Sequence, residues 1–233
     1  GNEIINQFDA VCIAIGAGHP RDINPKGREL KGIYFAMDFL SQQNRRIMGD
    51  EITNSETITA KDKHVLVIGG GDTGSDCVGT SIRQGAKKVT QIEIMPKPPV
   101  GKNPDTPWPF YPNVLKTSSS HEEGCERYWS LNTLEFRGEE GKVKEVIVEE
   151  VEWEKDDKGR MQMLSTSKTR TIRADIVFLA LGFVHPMHEG LLDELGVKYD
   201  GRVNIAIDSK NRSSVDKVFA AGDASSGASL VVR

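Results

Sequence analysis

Residues 63–88, KHVLVIGGGDTGSDCVGTSIRQGAKK, constrain the fold more than any other stretch. Val65, Leu66, Val67 and Ile68 form an unbroken apolar run. Such a run predicts a strand covered on both faces, as a parallel sheet requires. It leads into Gly69, Gly70, Gly71, Asp72, Thr73 and Gly74. A helix is expected over residues 75–84, closed by Gly85, and a second strand from Val89. In this pattern the first glycine permits a tight turn. Gly71 lets the main chain approach a pyrophosphate, and Gly74 lets helix and strand pack closely. The free N–H groups and dipole of the helix start then face the phosphates. Glu93 ends the second strand, about 20 residues beyond the last glycine, where a carboxylate binds a ribose hydroxyl. A tight turn in a protein that binds no nucleotide is the plain alternative; strand, helix and second strand in register favour the nucleotide.

The 233 residues suffice for one large domain or two modest ones. Basic and acidic side chains, 30 against 34, are interspersed, which disfavours a nucleic-acid surface. No apolar run approaches the roughly 20 residues that span a bilayer, and no signal pattern opens the chain. A cytoplasmic location is therefore expected. Cys12, Cys77 and Cys125 are far apart and form no CxxC, so no metal site is read from them. Cys12 and Cys77 are expected to be buried packing residues.

Buried strands are expected at residues 8–15, 174–181 and 218–221, and shorter strands at 30–34 and 203–207. Helices are expected at 36–43 and 191–195, with helical character at 122–130 and from 227 onward. Residues 44–60 read as a polar loop. The prolines of MPKPPVGKNPDTPWPFYPN exclude regular structure. This segment is either a lid beside the cofactor site or a connector, with Trp108, Phe110 and Tyr111 packing over a ligand or pinning the loop. Alternation over residues 142–154, a turn at 156–159 and strands at 161–165 and 168–173 predict an antiparallel meander.

Ile13-Ala14-Ile15-Gly16 and Leu179-Ala180-Leu181-Gly182 repeat one event, a core strand ending in a glycine turn. The echo suggests two nucleotide domains, the second inserted in the first. The echo resembles two-dinucleotide-domain flavoproteins, in which each nucleotide domain has such a strand after its meander. That resemblance implies the expected fold, α/β: a Rossmann-like dinucleotide-binding domain with a parallel sheet plus an antiparallel β-meander, inserted in a partial FAD-binding domain of the two-dinucleotide-binding flavoprotein type. The expected divisions are 1–60 (partial FAD-binding domain and linker), 61–182 (NAD(P)H-binding domain) and 183–233 (C-terminal part of the FAD-binding domain). Gly1 reads as a tag scar, and the LVVR end as a segment that should continue; the chain is expected to be a fragment.

Several passages together carry a family resemblance. VLVIGGGDTGSDCVGTSIRQGAKKVTQIEIMPKPP, NPDTPWPFYPN, YWSLNT and KVKEVIVEEVEW resemble the small (beta) subunit of glutamate synthase, as do CIAIGAGHPRDI, ADIVFLALGF and VFAAGDASSGASLVV. The resemblance spans nearly the whole chain. It implies a flavoprotein in which NADPH or NADH passes hydride to FAD. Electrons then leave through 4Fe-4S clusters, held by an N-terminal part not in this sequence, to a large (alpha) subunit. There they serve glutamate synthesis from glutamine and 2-oxoglutarate.

Carried over by position, Gly69, Gly70, Gly71, Asp72, Thr73 and Gly74 would bind the pyrophosphate, with Thr73 capping the helix. Asp223 would bind the flavin ribityl or phosphate region; its plain alternative is a turn aspartate. Gly16, Gly182 and Gly222 would approach the cofactors closely, and Arg21 would lie near FAD. Glu93 argues for NADH because a carboxylate repels a 2′-phosphate, whereas Lys97 and Lys102 could hold one; family usage in bacteria favours NADPH. Hydride transfer needs no protein acid or base, so no catalytic residue is named. His121 reads as a loop or capping residue. Two other functions fit the same motifs: the electron-entry module of a dihydropyrimidine dehydrogenase-like flavoprotein, and a non-catalytic nucleotide-binding module. The isolated chain is expected to lack stable FAD.

Overall fold

The computed structural model describes residues 1–53, 57–109 and 113–229. Two compact units divide the chain. One joins Gly1–Arg21 to Gly182–Arg233, and the other is Asp22–Leu181. The first unit opens with α1 (Asn2–Gln7), β1 (Val11–Ile13) and β2 (His19–Pro20). The second holds β3 (Ile33–Phe35), α2 (Ala36–Ile47), β4 (His64–Ile68), α3 (Asp72–Arg83), β5 (Lys88–Ile92) and α4 (Ser119–Glu122). It continues through β6 (Glu126–Tyr128), β7 (Leu131–Glu139), β8 (Lys142–Lys155), β9 (Met161–Arg173) and β10 (Ile176–Leu179). The chain then returns to the first unit with β11 (Phe183–His185), α5 (Leu191–Leu195), β12 (Val218–Ala220) and α6 (Asp223–Ser226).

The second unit is built on a five-stranded parallel sheet in the order β3-β10-β4-β5-β6. Its apolar strands are explained by what covers each face. Val65, Val67, Ile176 and Phe178 pack with Ala36 and Phe39 of α2 and Cys77 and Val78 of α3. Leu66, Ile68, Ile92, Val177 and Leu179 pack with Phe136, Val143, Val146 and Val148 of the antiparallel β7-β8-β9 sheet. Adjacent residues thus enter different cores, which removes the need for polar alternation. Phe39 stacks on Phe178 with ring centroids 4.1 Å apart. Burial pushes the Cys77 thiol, and the neighbouring Asp76 charge further drives it, well above its ordinary range.

In the first unit β1 pairs with β12 in parallel, and β2 with β11 antiparallel. Its core gathers Ile13, Leu192, Leu195, Val197, Ile205, Val218, Ala220 and Ala224.

Several expectations are corrected. The strand expected at 8–15 is only Val11–Ile13, preceded by α1. Phe8 and Ile15 are more than half exposed, and Cys12 is exposed rather than buried. Residues 22–60, assigned from sequence to the flavin flank, pack in the second unit, because β3 pairs with β10 and α2 covers the sheet. Helix α2 continues to Ile47; Arg46 Nη2 donates to Gln42 Oε1 (2.6 Å) and to the Ile58 carbonyl (3.2 Å). The helix expected at 122–130 is instead α4 followed by β6. Gly124, at φ +119°, ends the helical turn, and the next residues complete the sheet edge beside β5. Strand β7 was missed, and β9 is one strand rather than two. Residues 203–207 form no strand beyond an isolated bridge at Ile205. Asp200 Oδ1 accepts the N–H groups of Arg202 and Asn204, a turn that sets Val203 at φ +66°. Of the helical end expected from residue 227, residues 230–233 lie outside the described residues; α6 precedes it.

Candidate nucleotide-binding site

At the carboxyl edge of the parallel sheet, β4 gives way to Gly69 at φ +123°, a conformation that favours glycine. A Cβ there would lie 2.1 Å from the Ala180 carbonyl oxygen, so the turn is pressed onto the end of β10. A Cβ at Gly74 would lie 2.3 Å from the Gly69 carbonyl oxygen, so α3 touches the strand that precedes it. Gly71 differs: nothing lies within 4 Å of its ideal Cβ position. Two of these glycines serve packing, and the third leaves open space.

Helix α3 begins at Asp72, three residues earlier than expected, with Gly71 as its N-cap and no side-chain cap. Thr73 is therefore a first-turn residue and not the cap. The helix-start N–H groups lack a side-chain acceptor, which suits an anion. They face a cleft of about 330 Å³ lined by Gly70, Gly71, Asp72, Ser75, Lys116 and His121, among others.

Glu93 follows β5 directly. Its Oε2 accepts the Gly70 N–H at 2.6 Å, and its Oε1 accepts the Met95 N–H at 3.1 Å. Lys97 is exposed, and its ammonium lies 5.0 Å from the Trp129 ring centroid. Trp108 is 92% exposed, so it packs over nothing here; Phe110 and Tyr111 lie outside the described residues. Residues 95–109 contain no strand or helix, as the prolines required.

The second layer of this turn was not foreseen. Gln91, buried on β5, donates from Nε2 to the Gly69 carbonyl (2.9 Å). His121 Nε2 lies 2.9 Å from Gln91 Oε1, and the Ser118 N–H donates to His121 Nδ1 (3.1 Å). The Ser118 and Ser75 hydroxyls are in hydrogen-bond contact, which returns the chain of bonds to α3. Burial lowers the His121 pKa, and the Arg127 charge lowers it further. The spacing of Ser118 and His121 signalled a capping box, which the structure contains; the tertiary bond to Gln91 had no local signal.

The remaining sequence candidates lie in the first unit. Gly16 and Gly222 have positive φ, +74° and +63°. Gly182, at φ +79°, accepts the Arg21 N–H at its carbonyl (2.9 Å). Asp223 is the first residue of α6, and its Oδ1 accepts the Ser229 hydroxyl. A separate cleft of about 290 Å³ is lined by Arg21, Phe183, Arg202, Asn204, Ser226 and Gly227, among others. Asn204 is 1% exposed, yet its Oδ1 and Nδ2 have no hydrogen-bond partner among the described residues. A buried carboxamide without partners is costly, and a polar ligand would satisfy it.

Among the described residues no group of three or more His, Cys, Asp or Glu is placed to hold a metal, and no helix is long and apolar enough to cross a membrane.

The sequence profile of the pyridine nucleotide-disulphide oxidoreductases matches residues 1–106 and 132–233. The chain belongs to that family. Its relatives include the glutamate synthase [NADPH] small chain of Mycobacterium tuberculosis, 46% identical over 97% of this chain. The glutamate synthase [NADH] of Schizosaccharomyces pombe is 40% identical over 99% of it. The chain spans 46% of the first relative and 11% of the second. Among solved structures, Mycobacterium tuberculosis FprA in complex with NADPH superposes with a TM-score of 0.70 at 17% identity, covering 99% of this chain and 61% of FprA. T. acidophilum thioredoxin reductase superposes with a TM-score of 0.56 at 24% identity, covering 94% of this chain and 58% of the reductase. At these identities the structures support the fold alone, an α/β architecture with a parallel sheet.

Proposed function

We propose that this chain is the nicotinamide-binding portion, with flavin-binding flanks, of a glutamate synthase small subunit. It would take hydride from NAD(P)H onto FAD and supply electrons, through a large subunit, for making glutamate from glutamine and 2-oxoglutarate. The observation that carries this reading is the uncapped turn from Gly69 to Gly71, open at Gly71 and opening α3 into a cleft. The similarity to glutamate synthase small chains supports the choice of reaction.

The pyrophosphate would rest on the main chain of Gly70, Gly71, Asp72 and Thr73, with Gly69 and Gly74 keeping strand and helix close. Lys116 lines the same cleft. In the first unit, Asn204, Gly222 and Asp223 would hold parts of the flavin, with Gly16 and Gly182 supplying close main-chain approaches. The nicotinamide and flavin rings supply the hydride chemistry when bound. The protein binds them, orients them and excludes water.

The coenzyme is either NADPH, for which the M. tuberculosis relative is named, or NADH, for which the S. pombe relative is named. The Glu93 carboxylate favours NADH, and Lys97 is occupied with Trp129. Anaerobic titration of the full-length protein with each coenzyme tests the reading. Bleaching of the flavin absorbance by at least one is expected. A flavin that neither coenzyme reduces, in protein that folds, overturns it.

A further inference from the structure

The bonds behind the glycine turn define a proton inventory. The Ser118 N–H donates to His121 Nδ1, so Nδ1 carries no proton. The proton is then on Nε2, which donates to Gln91 Oε1; the Gln91 carboxamide is thereby oriented with Nε2 toward the Gly69 carbonyl. One tautomer of one neutral imidazole satisfies all three bonds. The same ring lines the cleft in front of the turn. Gln91 Nε2 also stands 2.8 Å from where a Gly74 Cβ would be, so the carboxamide packs closely against the start of the helix.

We propose that His121 is a positioning residue for the nucleotide diphosphate. Its neutral ring holds Gln91, Gln91 holds the Gly69 carbonyl back, Glu93 holds the Gly70 N–H, and the Gly71 main chain and the start of α3 are left facing the cleft. This rests on the reading that a pyridine nucleotide occupies that cleft. Protonation of Nδ1 sets two donors, the ring N–H and the Ser118 N–H, against each other. That breaks the Ser118–His121 bond, which fixes the plane of the ring whose Nε2–H holds Gln91. The charged groups around the ring are Asp72 and Lys116 on the cleft, Glu122 and Glu123 beside it in sequence, Arg83 on α3 paired with Glu123, and Arg127 on β6. The Arg127 charge opposes a charged ring, while Asp72 and Glu122 are exposed and Glu123 is paired with Arg83.

The test is the pH dependence of NAD⁺ affinity, measured by calorimetry on the full-length protein. NAD⁺ is chosen because its diphosphate keeps one charge state across the range, whereas a 2′-phosphate titrates near neutrality. For the natural sequence, affinity is expected to fall roughly tenfold on acidification through the histidine range, the loss expected when one buried hydrogen bond of about 1.4 kcal/mol is broken. His121→Gln keeps an Nε2 donor for Gln91 but does not titrate; it is expected to bind with a flat profile. His121→Ala is expected to bind about tenfold more weakly above neutrality, with a flat profile. Binding of NAD⁺ by the natural sequence with a flat profile overturns this role alone. So does His121→Gln retaining the natural pH dependence. No binding of either NAD⁺ or NADP⁺ by the natural sequence at any pH overturns the nucleotide reading and this role with it. Because the decisive profile belongs to the unsubstituted protein, a variant that fails to fold does not shield the proposal.

Discussion

The Glu93 carboxylate accepts the main-chain N–H of Gly70 at 2.6 Å, tying the end of one strand to the turn that follows its neighbour. A Cβ at Gly70 would come 2.7 Å from that same oxygen. The residue that would read the ribose is thus also part of the frame of the phosphate turn. Glu93→Gln keeps an acceptor for Gly70 and removes the negative charge. It is expected to raise NADPH affinity relative to NADH by roughly tenfold, a difference of about 1.4 kcal/mol. Parallel titrations of both coenzymes check this; an unchanged ratio would show that the carboxylate does not face the ribose.

Gly71 separates folding from binding. Its φ of −80° suits any residue, and its Cβ position is open. Gly71→Val is expected to cost less than about 1 kcal/mol of stability. It should nonetheless weaken nucleotide binding by more than about tenfold, since the side chain would stand where the phosphate approaches. Thermal unfolding and calorimetry on the same sample distinguish the two effects. Gly69→Ala should do the reverse, losing stability first, because its Cβ would meet the Ala180 carbonyl.

Asp175 accepts both the His64 N–H (2.9 Å) and the His64 ring nitrogen Nδ1 (3.0 Å). Burial alone would raise its pKa, but these bonds and the charges of His64 and Arg173 outweigh it, and the carboxyl sits below its ordinary value. A depressed folded pKa gives stability that is present above the unfolded value of about 3.9 and is lost as the pH falls through the folded one. Asp175→Asn is expected to lose about 1 to 2 kcal/mol at neutral pH and less in acid. Denaturant midpoints at neutral and acid pH measure the difference; an equal loss at both would refute the linkage.

Phe178→Ala removes one ring of a fully buried stack with Phe39. A loss of about 3 to 5 kcal/mol is expected. Phe178→Leu should recover a large part of it. Chemical denaturation gives both values, and a loss below about 1 kcal/mol would mean that this face of the sheet is not packed as described.

Local chemistry explains what was legible. The apolar run at 65–68, the turn at Gly69 and the close helix contact at Gly74 read correctly because their demands are met by immediate neighbours. Strand β6 did not, since it exists only because β5 offers an edge, and Glu126 to Tyr128 carry no strand signature of their own. The Val203 region failed for the opposite reason: an aspartate two or more residues away imposed a turn on a β-branched sequence. Gln91 and His121 were invisible because their bond joins residues from separate elements. The one hint, a serine three positions before a histidine, spoke only of a helix cap.

The pairing of β1 with β12 carries a consequence for biosynthesis. As the polypeptide leaves the ribosome, Val11 cannot meet Val218 until the whole of the intervening unit has been made. That unit contains all five strands of its own parallel sheet and can close first. The β1 segment must therefore remain without its strand partner until Val218 has been synthesised.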